Sequence, residues 1–448
     1  MANFFKSSVP QFAVDVYQNE YLPEGGREVN AIVTVTATGG GTVGSAVTSP
    51  HLYSPAQGPS AAVAIMVDCS GSMDYPPVKM RGAREATAAA IDAVRDGVHF
   101  AVIGGTHVAK EVYPGGGRLA VADAATREQA KQALRKLSAG GGTAIGTWLR
   151  LAERLLSSAD VAIRHGILLT DGRNEHEEPD ELRATLEHCA GRFTCDARGV
   201  GTDWVVKEVT GVASALLGSA DIVADPAGLS ADFTRMMETA MGKEVADVAL
   251  RLWTPVGTTV KFVKQVAPTV EELTSRRTES GSRSGDYPTG SWGDESRDYH
   301  VCVEVPGAGI GQEMLAARVS LVVPQADGSV QNLGAQGLVR AVWTEDVAAS
   351  TSINPQVAHY TGQAELAQVI QQGLDLRKVG DIDGATAKLG RAVQLASVSG
   401  NADTAKLLAK VVDVVDATTG TVRLKAKVAE ADEMTLETRS TKTVRVKK

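Results

Sequence analysis

Two acidic residues and three hydroxyl-bearing residues fall where a folded chain can gather them. Asp68-Cys69-Ser70-Gly71-Ser72 follows an uninterrupted apolar run, AAVAIMV. In an extended segment alternate side chains point the same way, so Asp68, Ser70 and Ser72 can converge. Gly71 lets the loop turn at no steric cost. A second apolar run, GILLT, ends in Asp171-Gly172. Thr143 follows Gly140-Gly141-Gly142 and precedes a helical stretch. Two carboxylates and three hydroxyls are all hard oxygen donors. Mg²⁺ prefers such a set, in octahedral geometry at about 2.1 Å, and keeps several waters. Mn²⁺ and Ca²⁺ are the alternatives for the same donors. Soft metals would want Cys or His, and neither belongs to the set. Three of the five donors are neutral, which leaves a divalent cation undercompensated. An open coordination position then favours a carboxylate from another molecule.

These donors need elements that bring strand ends together. AAVAIMVD and HGILLTD read as central parallel strands covered on both faces. Between and after them come helical stretches: KMRGAREATAAAIDAVRD behind Pro76-Pro77, TREQAKQALRKLS entered at a Thr cap, TWLRLAERLLSS, and a helix opened by Pro179 with Asp180-Glu181 in its first turn. HVAKEVYP reads as an edge strand, and FTCDARGVG and ADIVAD as further strands. Strands alternating with helices give an α/β fold with a doubly wound, mostly parallel sheet. In such a sheet the loops at the carboxyl ends of the strands line the ligand crevice. Residues 60–242 form this domain.

Around it the pattern changes. Residues 245–350 carry short alternating strands, a β-sandwich module. Residues 1–55 hold the strands FAVDVYQ and EVNAIVTVTA, which complete that module, so that the α/β domain is an insertion within it. A glycine cluster with Pro50, Pro55 and Pro59 then connects to residue 60. Residues 355–418 are helical. GLDLRKVGDIDGATAKLGRAVQLA resembles a tetratricopeptide-type hairpin, with Gly380-Asp381 at the turn and Ala385, Leu389 and Ala392 inside. One such hairpin cannot bury both faces alone. The tail, 419–448, is basic: from Thr421 onward eight Lys/Arg face four Asp/Glu. Its Thr435, Thr438, Thr441 and Thr443 are candidate phosphorylation sites if the stretch is exposed.

The bulk numbers narrow the function classes. The chain has 448 residues, 43% hydrophobic and 22% charged, with a net charge of −8. A basic stripe of the kind nucleic-acid binders carry is absent. Aromatics are only 4%, so the core must be built mainly from Ala, Val, Leu and Ile. No stretch approaches the about 18 uninterrupted apolar residues of a membrane span. Four cysteines without a C-x-x-C pair read as free thiols, and MANFFKSSVPQFAVDVYQ does not read as a secretory signal. The expectation is a cytoplasmic protein.

The five donors, taken in order, resemble the metal-ion-dependent adhesion site of von Willebrand factor A (VWA) domains: D-x-S-G-S, a Thr in a Gly-rich loop, and T-D-G at the end of a buried strand. The resemblance covers roughly 60–240. It implies that Ser70, Ser72 and Thr143 are direct or near-direct ligands, with Asp68 and Asp171 binding directly or through water. It also implies a Mg²⁺-dependent scaffold or adaptor whose protein partner presents an Asp or Glu. More loosely, the whole chain resembles bacterial cytosolic VWA proteins often encoded beside phosphothreonine-reading domains, kinases and phosphatases, which points to a phosphothreonine-reading or ATPase partner.

Two other classes compete. One is an adaptor subunit of a chaperone-like (MoxR-type) ATPase, which would need its motor in trans. The other is a metal-dependent phosphohydrolase. The sequence has no Gly-x-x-x-x-Gly-Lys phosphate loop and no nucleophile elbow, so a non-enzymatic reading is favoured. Cys69 is expected to pack into the sheet rather than act as a nucleophile. Glu175, Glu177 and Glu178 read as a solvated helix start, and His176 as an exposed loop residue.

Overall fold

The computed structural model describes residues 10–39, 60–325 and 328–446. The glycine- and proline-containing connector at 40–59 lies outside the described residues. Two antiparallel strands open the chain, β1 (Gln11–Gln18) and β2 (Glu28–Thr38). The chain forms two compact units. The first takes the described residues of Gly39–Ala246 together with Gly290–Asp294; the second takes Gln11–Thr38, Asp247–Thr289 and the described residues of Glu295–Lys448.

The first unit is built on β3 (Ala61–Asp68), α1 (Val78–Ala93), β4 (His99–Gly105), β5 (Ala109–Tyr113), α2 (Ala124–Leu134), α3 (Ile145–Ser157), β6 (Ile163–Thr170), α4 (Pro179–Cys189), β7 (Thr194–Val200), α5 (Val206–Ala215), β8 (Ala220–Val223) and α6 (Leu229–Met241). The sheet runs β8-β7-β6-β3-β4-β5. Every neighbouring pair is parallel except β4 and β5, so β5 is the antiparallel edge. All eight residues of β3 are buried, as a strand covered on both faces requires. One layer of the core is Ile65, Val67 and Ile167 of the sheet against Ala83, Ala86 and Ala90 of α1 and Phe233 and Met237 of α6. Small alanines let α1 lie close where aromatics are scarce. At α2 the cap is Asp123 rather than a threonine. Asp123 Oδ1 accepts from the Thr126 N–H at 2.7 Å and the Asp123 N–H donates to Thr126 Oγ1 at 2.8 Å, a reciprocal capping box.

The second unit is two antiparallel sheets and a helical region. Its strands are β1 and β2 with β9 (Val245–Trp253), β10 (Thr259–Ala267), β11 (Ser284–Trp292), β12 (Glu295–Glu304), β13 (Glu313–Pro324) and β14 (Val330–Trp343). One sheet runs β1-β2-β12-β10, the other β11-β9-β13-β14. β2 pairs along β12 from Glu28↔Glu304 to Ala37↔Glu295, although 256 residues of the chain lie between Thr38 and Glu295 (294 − 38). The Gln18 amide ties β1 to β14 by donating to the Arg340 carbonyl at 2.8 Å and accepting from its N–H at 3.0 Å. The sequence pattern does not reveal β11, whose Gly285, Pro288 and Gly290 are turn residues.

The helical region comprises α7 (Pro355–Lys378), α8 (Ile382–Ser399), α9 (Ala402–Val411), a hairpin of β15 (Val412–Asp416) and β16 (Thr421–Leu424), and α10 (Glu430–Arg439). The α7–α8 pair is closed from within the chain: Leu366, Ile370, Leu374, Leu389 and Ala392 share a core with Leu408, Val411, Val422 and Leu436. The tail is therefore packed, not an exposed basic strand. Thr438 is buried, Thr443 Oγ1 donates to the Val266 carbonyl at 2.7 Å, and the Val270 N–H donates to the Thr441 carbonyl at 2.8 Å. A kinase could not reach Thr438 without unfolding α10. Among the described residues no helix is long and apolar enough to cross a membrane.

Candidate metal centre

β3 and β6 are parallel neighbours, so Asp68 and Asp171 leave the sheet side by side at its carboxyl edge. The loop after β3 is held by backbone bonds to both flanks. The Cys69 N–H donates to the Gly105 carbonyl at 2.7 Å, the Gly140 N–H to the Cys69 carbonyl at 2.8 Å, and the Gly71 N–H to the Gly141 carbonyl at 2.8 Å. This fastens the serine loop to the glycine loop that carries Thr143.

Asp68 is completely enclosed. Its Oδ1 accepts from the Ser70 N–H at 2.8 Å, and its Oδ2 accepts from Thr170 Oγ1 at 2.7 Å and from the Asp171 N–H at 3.3 Å. Burial pushes its carboxyl above the usual range, against the opposing pull of the Ser70 and Thr170 hydrogen bonds. Both oxygens are engaged with the scaffold, so Asp68 ties the two strand ends together.

The hydroxyls form a directed chain. Ser72 Oγ donates to Asp171 Oδ1 at 2.7 Å and lies 2.9 Å from Ser70 Oγ. Ser72 has one proton and spends it on Asp171, so Ser70 is the donor to Ser72. Thr143 Oγ1 completes the group. A Cβ placed on Gly172 would lie 3.0 Å from Ser72 Oγ, 3.3 Å from Thr143 Oγ1 and 3.6 Å from Ser70 Oγ. All three hydroxyls thus surround one point over Gly172. Two ligands at adjacent corners of a Mg²⁺ octahedron, with bonds of about 2.1 Å, stand about 3.0 Å apart. The Ser70–Ser72 spacing fits that geometry, and the all-oxygen donor set fits a hard cation.

The loop after β6 secures the third hydroxyl. The His176 N–H donates to the Thr143 carbonyl at 3.0 Å. Asn174 Oδ1 accepts from the Ile145 N–H at 2.7 Å and Glu177 Oε2 from the Gly146 N–H at 2.8 Å, satisfying orphan donors at the start of α3. Gly142 is required beneath His176, because a Cβ there would fall 2.1 Å from the ring. Glu175 and Glu178 are exposed, whereas Glu177 is a brace rather than a solvated charge. Cys69 is buried, and burial pushes its thiol up to about 12, which removes it as a nucleophile at neutral pH.

Two groups that the motif does not contain enter the site. Lys79 of α1 places its ammonium 2.8 Å from Asp171 Oδ2 and 2.9 Å from Asp203 Oδ2. Burial lowers the Lys79 pKa, but the two carboxylates more than offset it and hold the ammonium above its ordinary range. Asp203 lies just past the end of β7, on the same sheet edge. A shallow cavity opens over the group, lined by Ser70, Ser72, Thr143, Arg173, His176 and Asp203 among others. The arrangement can hold a small hard cation from below and leave one side open to a guest.

Comparison with known proteins agrees with this architecture. The profile described as von Willebrand factor type A domain matches residues 61–222, and that of the von Willebrand factor type A C-terminal domain matches 394–440. The solved structure of von Willebrand factor type A from Catenulispora acidiphila is 51% identical, with a TM-score of 0.90, covering 99% of this chain and 100% of that one. The chain belongs to the von Willebrand factor type A family. The ArnB paralog VWA2 from Sulfolobus acidocaldarius shares the fold, with a TM-score of 0.57 at 13% identity over 96% of this chain and 98% of that one. An uncharacterized Synechocystis protein, sll0103, is 28% identical over 217 residues, 47% of this chain and 49% of that protein. The chain therefore matches about half the length of this curated relative. The α/β unit is a VWA domain, a protein-interaction domain whose members commonly bind a divalent metal.

Proposed function

We propose that this VWA protein binds a divalent cation, Mg²⁺, through the hydroxyls of Ser70, Ser72 and Thr143, and uses it to hold an acidic side chain of a protein partner. The observation that carries this reading is the convergence of three hydroxyls over Gly172 beside the Asp171 carboxylate. Asp171 balances the metal and orients Ser72, while Asp68 holds the two loops in register. When bound, the metal supplies Lewis-acid attraction for a carboxylate. The chain supplies the rest: a cradle of neutral donors that leaves positive charge uncompensated, and an open side over Ser72.

An adaptor role fits the same chemistry, since a metal-bridged carboxylate gives a contact that a chelator reverses. The identity of the partner, an ATPase or a phosphothreonine reader among them, follows from capture rather than geometry. The test has two arms. Calorimetric titration with Mg²⁺ and Mn²⁺ should show one site in the wild type and none in Ser70→Ala/Ser72→Ala. Retention of native lysate proteins should require wild type and Mg²⁺ together and fail in EDTA. Equal metal uptake by both forms would sink the site; equal retention in all conditions would sink the metal bridge.

A further inference from the structure

A lysine in the first turn of a helix opposes the helix dipole, whose positive end lies there. Lys79 occupies that turn in α1, which has no acidic residue in its first turn. The cost is offset by where the side chain goes. Its ammonium contacts Asp171 Oδ2 and Asp203 Oδ2 at 2.8 and 2.9 Å and the Ser72 carbonyl at 3.4 Å. The side chain is 10% exposed, so these acceptors replace most of its hydration. The two carboxylates are unlike: Asp171 is enclosed, whereas Asp203 is 65% exposed.

Asp171 is also the carboxylate that would balance a metal seated on the three hydroxyls. A cation tied to the chain and a cation from solution therefore compete for one negative charge. We propose that Lys79 is a tethered cation that sets the divalent-metal affinity of the site, neutralising Asp171 without metal and moving onto Asp203 as metal binds. The inference rests on the metal-binding reading above. Because Lys79 touches both acceptors at once, the transfer needs only a small swing of the ammonium. Its effect has two sides. Lys79 weakens metal binding by like-charge repulsion, yet it leaves the loaded site one unit more positive, which favours an incoming carboxylate. It is a positioning and tuning residue, not a metal ligand.

The experiment is calorimetric titration of the full chain with Mn²⁺, with melting in EDTA to confirm that each variant folds. Removing the ammonium in Lys79→Met should tighten Mn²⁺ binding on the order of tenfold or more. Lys79→Gln serves the same purpose should the Met variant melt early. Lys79→Arg, which keeps the charge, should stay near wild type. Asp203→Asn should weaken binding in the wild type, where Lys79 loses its second acceptor, and do so much less in the Lys79→Met background. Mn²⁺ affinity in Lys79→Met equal to or weaker than wild type would overturn the proposal, as would an Asp203→Asn effect of the same size in both backgrounds. If the wild type binds Mn²⁺, Ser70→Ala/Ser72→Ala does not, and Lys79→Met is unchanged, the Lys79 proposal alone fails. If the wild type takes up no Mn²⁺, both readings fail together.

Discussion

Ser70 Oγ and Ser72 Oγ stand 2.9 Å apart, with Ser72 anchored to Asp171 at 2.7 Å. That spacing discriminates among hard cations. At octahedral angles adjacent ligands of Ca²⁺, with bonds of about 2.4 Å, are about 3.4 Å apart, so six-coordinate Ca²⁺ must pry the serines open against the Asp171 anchor, and only the tighter angles of seven- or eight-fold coordination, which call for more oxygen donors, avoid this. Mn²⁺ accepts the same oxygen ligands and octahedral arrangement as Mg²⁺. Competition titrations should therefore show Mg²⁺ and Mn²⁺ preferred over Ca²⁺ by about tenfold or more. Ca²⁺ binding as tightly as Mn²⁺ would show that the serine pair does not set the geometry.

Gly172 offers a separate handle on the same cradle. Its backbone is not in the left-handed region, so alanine is conformationally allowed. The new methyl would nonetheless sit 3.0 Å from Ser72 Oγ and 3.3 Å from Thr143 Oγ1, where the hydroxyls converge. Gly172→Ala should reduce Mn²⁺ affinity by on the order of tenfold or more while shifting the EDTA melting temperature little. The check is titration and melting on the same sample.

Asp68 behaves differently from the other four donors because its partners are in the scaffold. Asp68→Asn places an NH₂ group against the donors Ser70 N–H, Thr170 O–H or Asp171 N–H. We expect a loss of about 1–3 kcal/mol in urea unfolding, present in EDTA as well as in Mg²⁺. Stability unchanged in EDTA would assign Asp68 to the metal alone.

The contrast between these residues explains what the sequence made legible. Asp68, Ser70, Ser72 and Asp171 lie in short contiguous motifs at the ends of apolar runs, and strand pairing alone brings those ends together. Lys79 and Asp203 are joined across 124 residues by a side-chain contact that no local pattern encodes. Two weak signals exist in hindsight: a lysine in a helix's first turn without an acid, and an Asp immediately past a buried strand. The α/β elements are readable because their apolar runs and helical periodicity are strong. β11 is not, because Gly285, Pro288 and Gly290 break the alternation that marks a strand. The packing of α10 is hidden for a similar reason. Its buried face includes Glu437 and Thr438 beside Met434 and Leu436, so polarity does not report burial there.

A pH effect is expected from the second unit. His300 on β12 is buried, and burial followed by the nearby Lys264 charge lowers its pKa to about 4, with Glu28 pulling weakly the other way. Asn30 Nδ2 donates to Glu28 Oε1, which leaves Asn30 Oδ1 facing His300 Nε2 at 2.9 Å, so the neutral ring donates there. Phe262 packs edge-on against the ring. Below the ordinary value of 6.5 the unfolded chain takes up a proton that the folded ring refuses, so stability falls as pH drops from 6.5 toward about 4. At roughly 1.4 kcal/mol per pH unit the full window is worth on the order of 3 kcal/mol. Urea unfolding from pH 7 to pH 4.5 should show that slope, and His300→Gln should flatten it. An unchanged slope in the variant would place the titration elsewhere.

The tail gives a last test, because Arg445 grips a carboxylate that would otherwise be stranded. Asp298 is 3% exposed. Arg445 reaches it with two prongs, Nε to Oδ2 at 2.9 Å and Nη2 to Oδ1 at 2.6 Å, while Thr34 Oγ1 donates to Oδ1 at 2.7 Å and the Tyr360 hydroxyl donates to Oδ2. Removing the guanidinium leaves a buried charge with only neutral donors. Because the Arg445 side chain is 42% exposed, the loss should fall below that of a fully buried pair, at about 2 kcal/mol for Arg445→Met. Neutralising the stranded group should then recover part of it. The Arg445→Met/Asp298→Asn double variant is expected to be more stable than the sum of the two single changes allows, by about 1 kcal/mol or more. Strict additivity in urea unfolding would mean that the tail is held by the bonds that the Thr443 hydroxyl and N–H donate to the Val266 and Pro268 carbonyls rather than by this ion pair.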